Sequence, residues 1–222
     1  MTAVRTGAPV VVESPRDLLT ELRERTKDLH TRAERHPIQA SLVKGGATRQ
    51  AYAAYLGQLL HIHAALESEL AARGASPALA PVEAGQFRAG HAAADLRELG
   101  LDAPEEPVPP VVRFRDRVGS LDPLELLGMQ YVLEGSTNGG RYIARAVGRG
   151  ADLSPGAATR YLDPYGESQK ERWAAFCAAA ASLDIQAEEI ESVVRGAEAM
   201  FQLIIDTFDA MVARTTGSSR PA

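Results

Sequence analysis

The chain has 222 residues, 45% hydrophobic and 24% charged, with a formal net charge of −5. That composition supplies a sizeable core, excludes wholesale disorder, and argues against a nucleic-acid partner, because no basic excess exists to neutralise phosphates. A single cysteine, Cys177, excludes an internal disulfide framework and any four-cysteine zinc or iron–sulfur site.

The start, MTAVRTGAPVVVES, lacks a signal-peptide pattern, and no apolar run approaches the roughly 20 residues of a membrane span. The expectation is therefore a soluble, cytoplasmic protein. Only VVVE near the start and VPPVV in the middle read as extended, and prolines flank or interrupt both. Everything else follows a period near 3.6, so the fold class is all-α. Residues 1–13 read as a flexible tail, 14–214 as one domain, and 215–222 as a second tail.

Ser14-Pro15-Arg16-Asp17 predicts the first helix start: a capping serine, proline in the first turn, an acid three residues on. Leu18, Leu22, Leu29 and Ala33 give that helix its apolar stripe. The prolines and glycines of HPIQASLVKGGATR end it, and a second helix begins near Thr48 with Tyr52, Tyr55, Leu56, Leu59, His63, Leu66 and Leu70 inward. A third ends near Gly100, and LDAPEEPVPP reads as a stiff connector within the domain. Asp122-Pro123-Leu124-Glu125 predicts another capped start, with one long helix through MQYVLEGSTNGGRYIARAVG. A short helix around Arg172–Leu183 and an apolar one from about Ala187 to Ala213 complete the set.

Two patches could carry chemistry. On the first helix, residues three and four apart share a side, so Arg23, Lys27, His30 and Glu34 line one flank. A histidine with an acid one turn on suits a metal ligand: one ring nitrogen binds the metal, the other donates to the carboxylate. The bases beside it suit a ligand's carboxylates. The same spacing is also that of ordinary ion pairs on a solvated helix face.

The second patch is Gly135-Ser136-Thr137-Asn138-Gly139-Gly140, mid-helix. Three glycines in six positions cost on the order of 2–3 kcal/mol of helix propensity. Either the backbone approaches a flat partner closely there, or the segment is a turn or a tight helix–helix contact. A phosphate loop fits poorly, with no preceding strand and no P-loop lysine. His36, His61, His63 and His91 read as surface or satisfied buried histidines rather than ligands. No Glu-x-x-His pair points to a di-metal site, Ser136 lies in no strand–turn–helix elbow, and Cys177 reads as a small core residue.

Together these segments resemble the heme oxygenases, especially the bacterial biliverdin-producing type associated with bacteriophytochromes. LRERTKDLHTRAE resembles the family's proximal-helix motif, with His30 at the iron-ligand position and Glu34 as its hydrogen-bond partner. VKGGATRQAYAAYLGQLLHIHAALE is similar to the segment that follows. YVLEGSTNGGRYI resembles the glycine-rich distal helix, and YLDPYGESQKERWAAF a later bacterial-type segment. The likeness runs in family order from about residue 17 to 180.

The resemblance implies heme b held between two helices, as substrate and cofactor at once, with its iron on His30. It implies cleavage to biliverdin, carbon monoxide and ferrous iron, using dioxygen and an external electron donor such as a ferredoxin or a flavoprotein reductase. A bacteriophytochrome is the implied biliverdin acceptor. Gly135, Gly139 and Gly140 would form the distal wall, and Arg23 and Lys27 would lie near the propionates, with Tyr131 bordering the pocket. Animal members carry an aspartate where this chain has Ser136, and an apolar residue is more usual where it has Asn138. Bacterial relatives often carry serine there too, but a hydroxyl cannot deliver protons as a carboxylate does, and the Asn138 amide could bond ligand or water, so a heme carrier or sensor with little turnover is the competing reading. The arginine with which animal enzymes anchor a propionate is missing from the late helix; Lys170, Arg172 or Arg141 would substitute. A third reading is reuse of the fold for another small ligand.

Overall fold

In a computed structural model, residues 17–100, 106–154 and 156–217 are described, and the fold among them is all-α, without strands. The helices are α1 (Leu18–Arg35), α2 (Pro37–Lys44), α3 (Arg49–Ala72), α4 (Ala89–Glu98), α5 (Pro109–Arg117), α6 (Pro123–Gly135), α7 (Gly140–Gly150), α8 (Gln169–Ala181) and α9 (Ala187–Gly217).

Local chemistry sets most of the boundaries. Asp17 caps α1 by accepting from the Thr20 backbone N–H at 3.1 Å; Ser14, the expected cap, lies outside the described residues, as does VVVE. The chain does not pass directly from α1 to the Thr48 helix. His36 ends α1 and its Nδ1 accepts from the Ile38 backbone N–H, so the imidazole caps an additional helix, α2, with Pro37 in its first turn. Gly45 then closes α2 at φ +69, where a Cβ would also lie 2.9 Å from the Ala146 carbonyl. Thr48 caps α3 as expected.

VPPVV is not extended: Pro109 opens α5, and Val111 and Phe114 are buried. A proline in a first helical turn loses no hydrogen bond that the helix would otherwise make. Asp122 and Glu125 form a reciprocal capping box at the start of α6, a feature typically contributing about 1 kcal/mol. The last helix runs to Gly217, three residues beyond the expected domain end at 214.

The long helix expected from Asp122 is three elements. α6 stops at Gly135, Ser136–Gly139 tightens into a 3₁₀ turn, and α7 restarts at Gly140. Gly135, Ser136, Gly139 and Gly140 all keep right-handed helical dihedrals, so the apolar period runs through the break and disguises it.

The core forms where α9 lies along α6 and α1. Two glycines let α6 and α9 approach. A Cβ on Gly128 would sit 1.9 Å from the Val193 carbonyl oxygen, and one on Gly196 would sit 2.0 Å from that of Glu125. Backbone meets backbone reciprocally, which leaves no room for any side chain at either position. α9 can therefore present Phe201, Ile204 and Phe208 beside α1.

Candidate functional site

A cavity of about 610 Å³ opens between α1, α9 and the segment 135–140. From α1 it takes Arg23, Lys27, His30 and Glu34, the four residues that spacing placed on one flank. Tyr131, Gly135, Ser136, Asn138, Gly139 and Gly140 come from the α6–α7 region. Phe201, Ile204, Phe208, Leu59, Ile143 and Trp173 make much of the lining apolar. The volume and the mix of a few polar groups in an apolar slot are those of a small-molecule site.

The His30 side chain is 55% exposed and stands edge-on to Phe201, with ring centroids 5.6 Å apart. Its Nδ1 lies 3.6 Å from a Glu34 carboxylate oxygen, an ion-pair separation beyond hydrogen-bond reach. A small rotation of either exposed side chain would bring the two into contact and leave Nε2 free toward a ligand.

The three glycines have different reasons to be glycine, and none involves a positive φ. A Cβ on Gly140 would lie 1.7 Å from the Leu162 carbonyl oxygen, so this residue serves backbone packing. One on Gly135 would press on Trp173 at 3.3 Å. One on Gly139 would meet only the Ile143 Cδ1, at 3.8 Å. Nothing in the protein's own packing requires glycine at 139; a ligand lying flat against that wall would.

Asn138 has both ends of its amide engaged, donating to the Gly135 carbonyl at 3.0 Å and accepting from Gln169 at 3.3 Å. Tyr131 tilts against Trp173, and burial raises the pKa of its phenol. Arg141, one of the three candidate propionate anchors, does not line the cavity: it follows Gly140 on α7, is turned outward, and reaches Asp163 at 3.8 Å and Glu167 at 3.6 Å. Arg172 faces Glu83 and lies over the Tyr165 ring, and Lys170 is exposed. Neither lines the cavity.

Sequence reasoning missed Arg88 and Tyr161. Both are buried and both line the cavity. Arg88 Nη2 donates to the Leu133 carbonyl and to Ser136 Oγ, the latter at 3.1 Å, and the guanidinium lies 4.8 Å from the centre of the Tyr161 ring. Ser136 in turn donates its hydroxyl proton to Leu133 O at 2.6 Å. Beneath the cavity, the Glu67 carboxylate accepts from His63 Nδ1–H at 2.8 Å and from the backbone N–H of Arg88 at 2.6 Å and of Ala89 at 3.1 Å. Glu67 thus caps α4 from another helix, which fixes where Arg88 starts. Burial pushes the His63 pKa down to about 4, despite the opposing pull of Glu67. The ring is therefore neutral near pH 7, and its Nε2 accepts from the Tyr161 hydroxyl at 3.2 Å. No local pattern signals Arg88, because its partners come from three other segments. The His63–Glu67 spacing was visible.

The fold and site define an all-α protein with a largely apolar ligand cavity beside an exposed imidazole. Two solved structures share that fold. One is a heme oxygenase from Leptospira interrogans, with TM-score 0.81 and 22% identity, covering 87% of this chain and 98% of that one. The other is heme oxygenase-1 from the cyanobacterium Synechocystis in complex with heme, with TM-score 0.81 and 20% identity, covering 91% and 96%. Heme oxygenase 1 of Homo sapiens is 40% identical over 68 residues, which are 31% of this chain and 24% of that protein; the match spans about a quarter of that relative's length. The heme oxygenase family model matches residues 16–210, and the chain belongs to the heme oxygenase family.

Proposed function

We propose that the protein is a heme oxygenase that takes heme as its substrate and ligates the iron through His30. The observation that carries this reading is the convergence, on one cavity, of the His30–Glu34 flank and a wall in which Gly139 is open toward ligand rather than toward protein. Glu34 orients the imidazole and raises its basicity. Arg23 and Lys27, on the same flank as His30, bind the propionate carboxylates. Phe201, Ile204, Phe208 and Leu59 line the cavity with apolar surface that would bury the macrocycle and keep bulk water from it.

Bound heme, reduced by an external donor, activates dioxygen and is itself opened to biliverdin, carbon monoxide and ferrous iron. The protein contributes ligation, orientation and proton access. Gly139 lets backbone close over the ligand, and Ser136, which gives its proton to Leu133 and accepts from Arg88, has one lone pair left for a proton-carrying water. A ferredoxin or flavoprotein reductase as donor, a bacteriophytochrome as biliverdin acceptor, and a cytoplasmic setting complete the proposal. Among the described residues no helix is long and apolar enough to cross a membrane.

The test is direct. Protein loaded with hemin, given a reductant and oxygen, loses its Soret band and gains the broad red absorption of biliverdin. Heme that persists unchanged under a competent donor overturns the enzymatic reading in favour of a carrier or sensor. Failure to bind hemin overturns both and points to another ligand.

A further inference from the structure

Arg88 is the charged cavity-lining residue that the proposed chemistry has not used, and as a buried cation it is costly to keep. A guanidinium removed from water loses several kcal/mol of solvation unless charge and hydrogen bonds replace it. Arg88 is only 2% exposed. Its Nη atoms reach the Leu133 and Tyr161 carbonyls and Ser136 Oγ, while its Nε–H has no partner among the described residues. The protein thus surrounds the cation closely and leaves one buried donor unsatisfied beside a ligand cavity.

The surroundings fix the group firmly. Its backbone N–H is clamped by Glu67. Its plane rests on Tyr161. Tyr161 is itself held twice, by its hydroxyl on His63 and by its backbone N–H on the buried carboxylate of Asp95 at 2.8 Å. Ser136 is the point at which this assembly meets the glycine wall. The serine hydroxyl gives its proton to Leu133 and accepts one from Arg88, so its orientation is set by the arginine.

We propose that Arg88 acts through Ser136 as the positioning residue of the glycine wall, making the cavity there favour a ligand that carries negative charge. This inference rests on the heme reading of the same cavity. In such a site a cation supplies what a neutral hydroxyl lacks, and a low-dielectric surrounding enlarges its effect. The arrangement also resolves the departure at position 136. A serine whose proton is committed to a carbonyl cannot be the source of positive field at the wall; the arginine behind it can.

The test uses the full chain loaded with hemin, and two probes of the sixth iron position: azide, an anion, on the ferric form, and carbon monoxide, neutral, on the ferrous form. Removing the cation in Arg88→Gln weakens azide binding about tenfold, as expected for loss of one charge-assisted interaction, and changes carbon monoxide affinity far less. Arg88→Lys, which keeps charge but not the fork, falls between. Ser136→Ala weakens azide in the wild-type background and adds little to Arg88→Gln, because the two residues act as a unit. Equal losses for azide and carbon monoxide would reduce Arg88 to packing and overturn the proposal, as would unchanged azide affinity or strictly additive effects. If Arg88→Gln fails to retain hemin, Arg88→Lys and Ser136→Ala carry the same comparison. A wild-type protein without a Soret band would instead defeat the heme reading itself.

Discussion

Two histidines in this chain are followed four residues later by glutamate, and the pairs have opposite lives. His30 and Glu34 are 55% and 66% exposed and sit 3.6 Å apart at a cavity. His63 and Glu67 are 1% and 10% exposed, 2.8 Å apart, with both imidazole nitrogens engaged. The first pair has a ring nitrogen to offer a ligand; the second has none left. Spacing makes the pairing available, and packing decides whether the pair is a site or a strut.

The largest expected effect breaks the first pair. His30→Ala removes the proposed axial nitrogen, so hemin turnover should fall by more than the roughly 100-fold that loss of an outer hydrogen-bond partner costs. Hemin still enters the apolar slot, and urea stability changes little. Normal turnover with an unchanged axial-ligand spectrum would place the ligand elsewhere.

Breaking the second pair acts on stability instead. Glu67→Ala strands three buried donors at once, His63 Nδ1–H and the Arg88 and Ala89 backbone N–H groups. We expect a loss of about 3 kcal/mol, seen as a lower urea midpoint with unchanged slope. The same pair carries a pH signature. Burial lowers the His63 pKa from 6.5 to about 4, so between those values the unfolded chain binds a proton that the folded chain refuses. Stability therefore falls as pH drops through that window and this contribution levels off below about pH 4. Urea midpoints measured from pH 7 to pH 4 should fall less steeply in His63→Gln than in the wild type.

How much of this was legible follows from where partners come from. The α1 flank was readable because Arg23, Lys27, His30 and Glu34 lie on one helix and helical geometry alone brings them together. The start of α6 and its capping box were readable for the same local reason, while its end at Gly135 was not. Arg88 was not, since Glu67, Leu133, Ser136 and Tyr161 meet it only after α3, α6 and the loop before α8 have packed. The glycine wall was half legible. Its composition announced a close approach, but nothing in the letters distinguished Gly140, which faces the Leu162 backbone, from Gly139, which meets only the Ile143 Cδ1 at ordinary contact distance. VPPVV and PIQASLVK misled because proline reads as a breaker, although in a first turn it starts a helix.

A smaller effect sharpens the contrast between the pairs. Glu34→Ala should lower turnover about 10–100-fold by loosening the His30 ring, while folding stability moves by less than about 1 kcal/mol, since an exposed ion pair contributes little. A stability loss as large as that of Glu67→Ala would mean that the two pairs do the same structural job.

The smallest expected change in stability tests the same lesson on adjacent glycines. Gly139 has φ −94 and ψ −9, values open to alanine, and its added Cβ would touch only Ile143 Cδ1. Gly139→Ala should therefore stabilise the folded protein by about 0.5 kcal/mol, by restricting the unfolded chain, a rise of roughly 1–2 °C in Tm for a domain of this size. Hemin turnover should nevertheless fall, because the methyl group takes space on the ligand's side of the wall. A residue whose replacement improves folding and impairs catalysis is present for the ligand. A lower Tm, or a higher Tm with turnover intact, would assign Gly139 to packing alongside Gly140 and remove the open wall on which the proposed function depends.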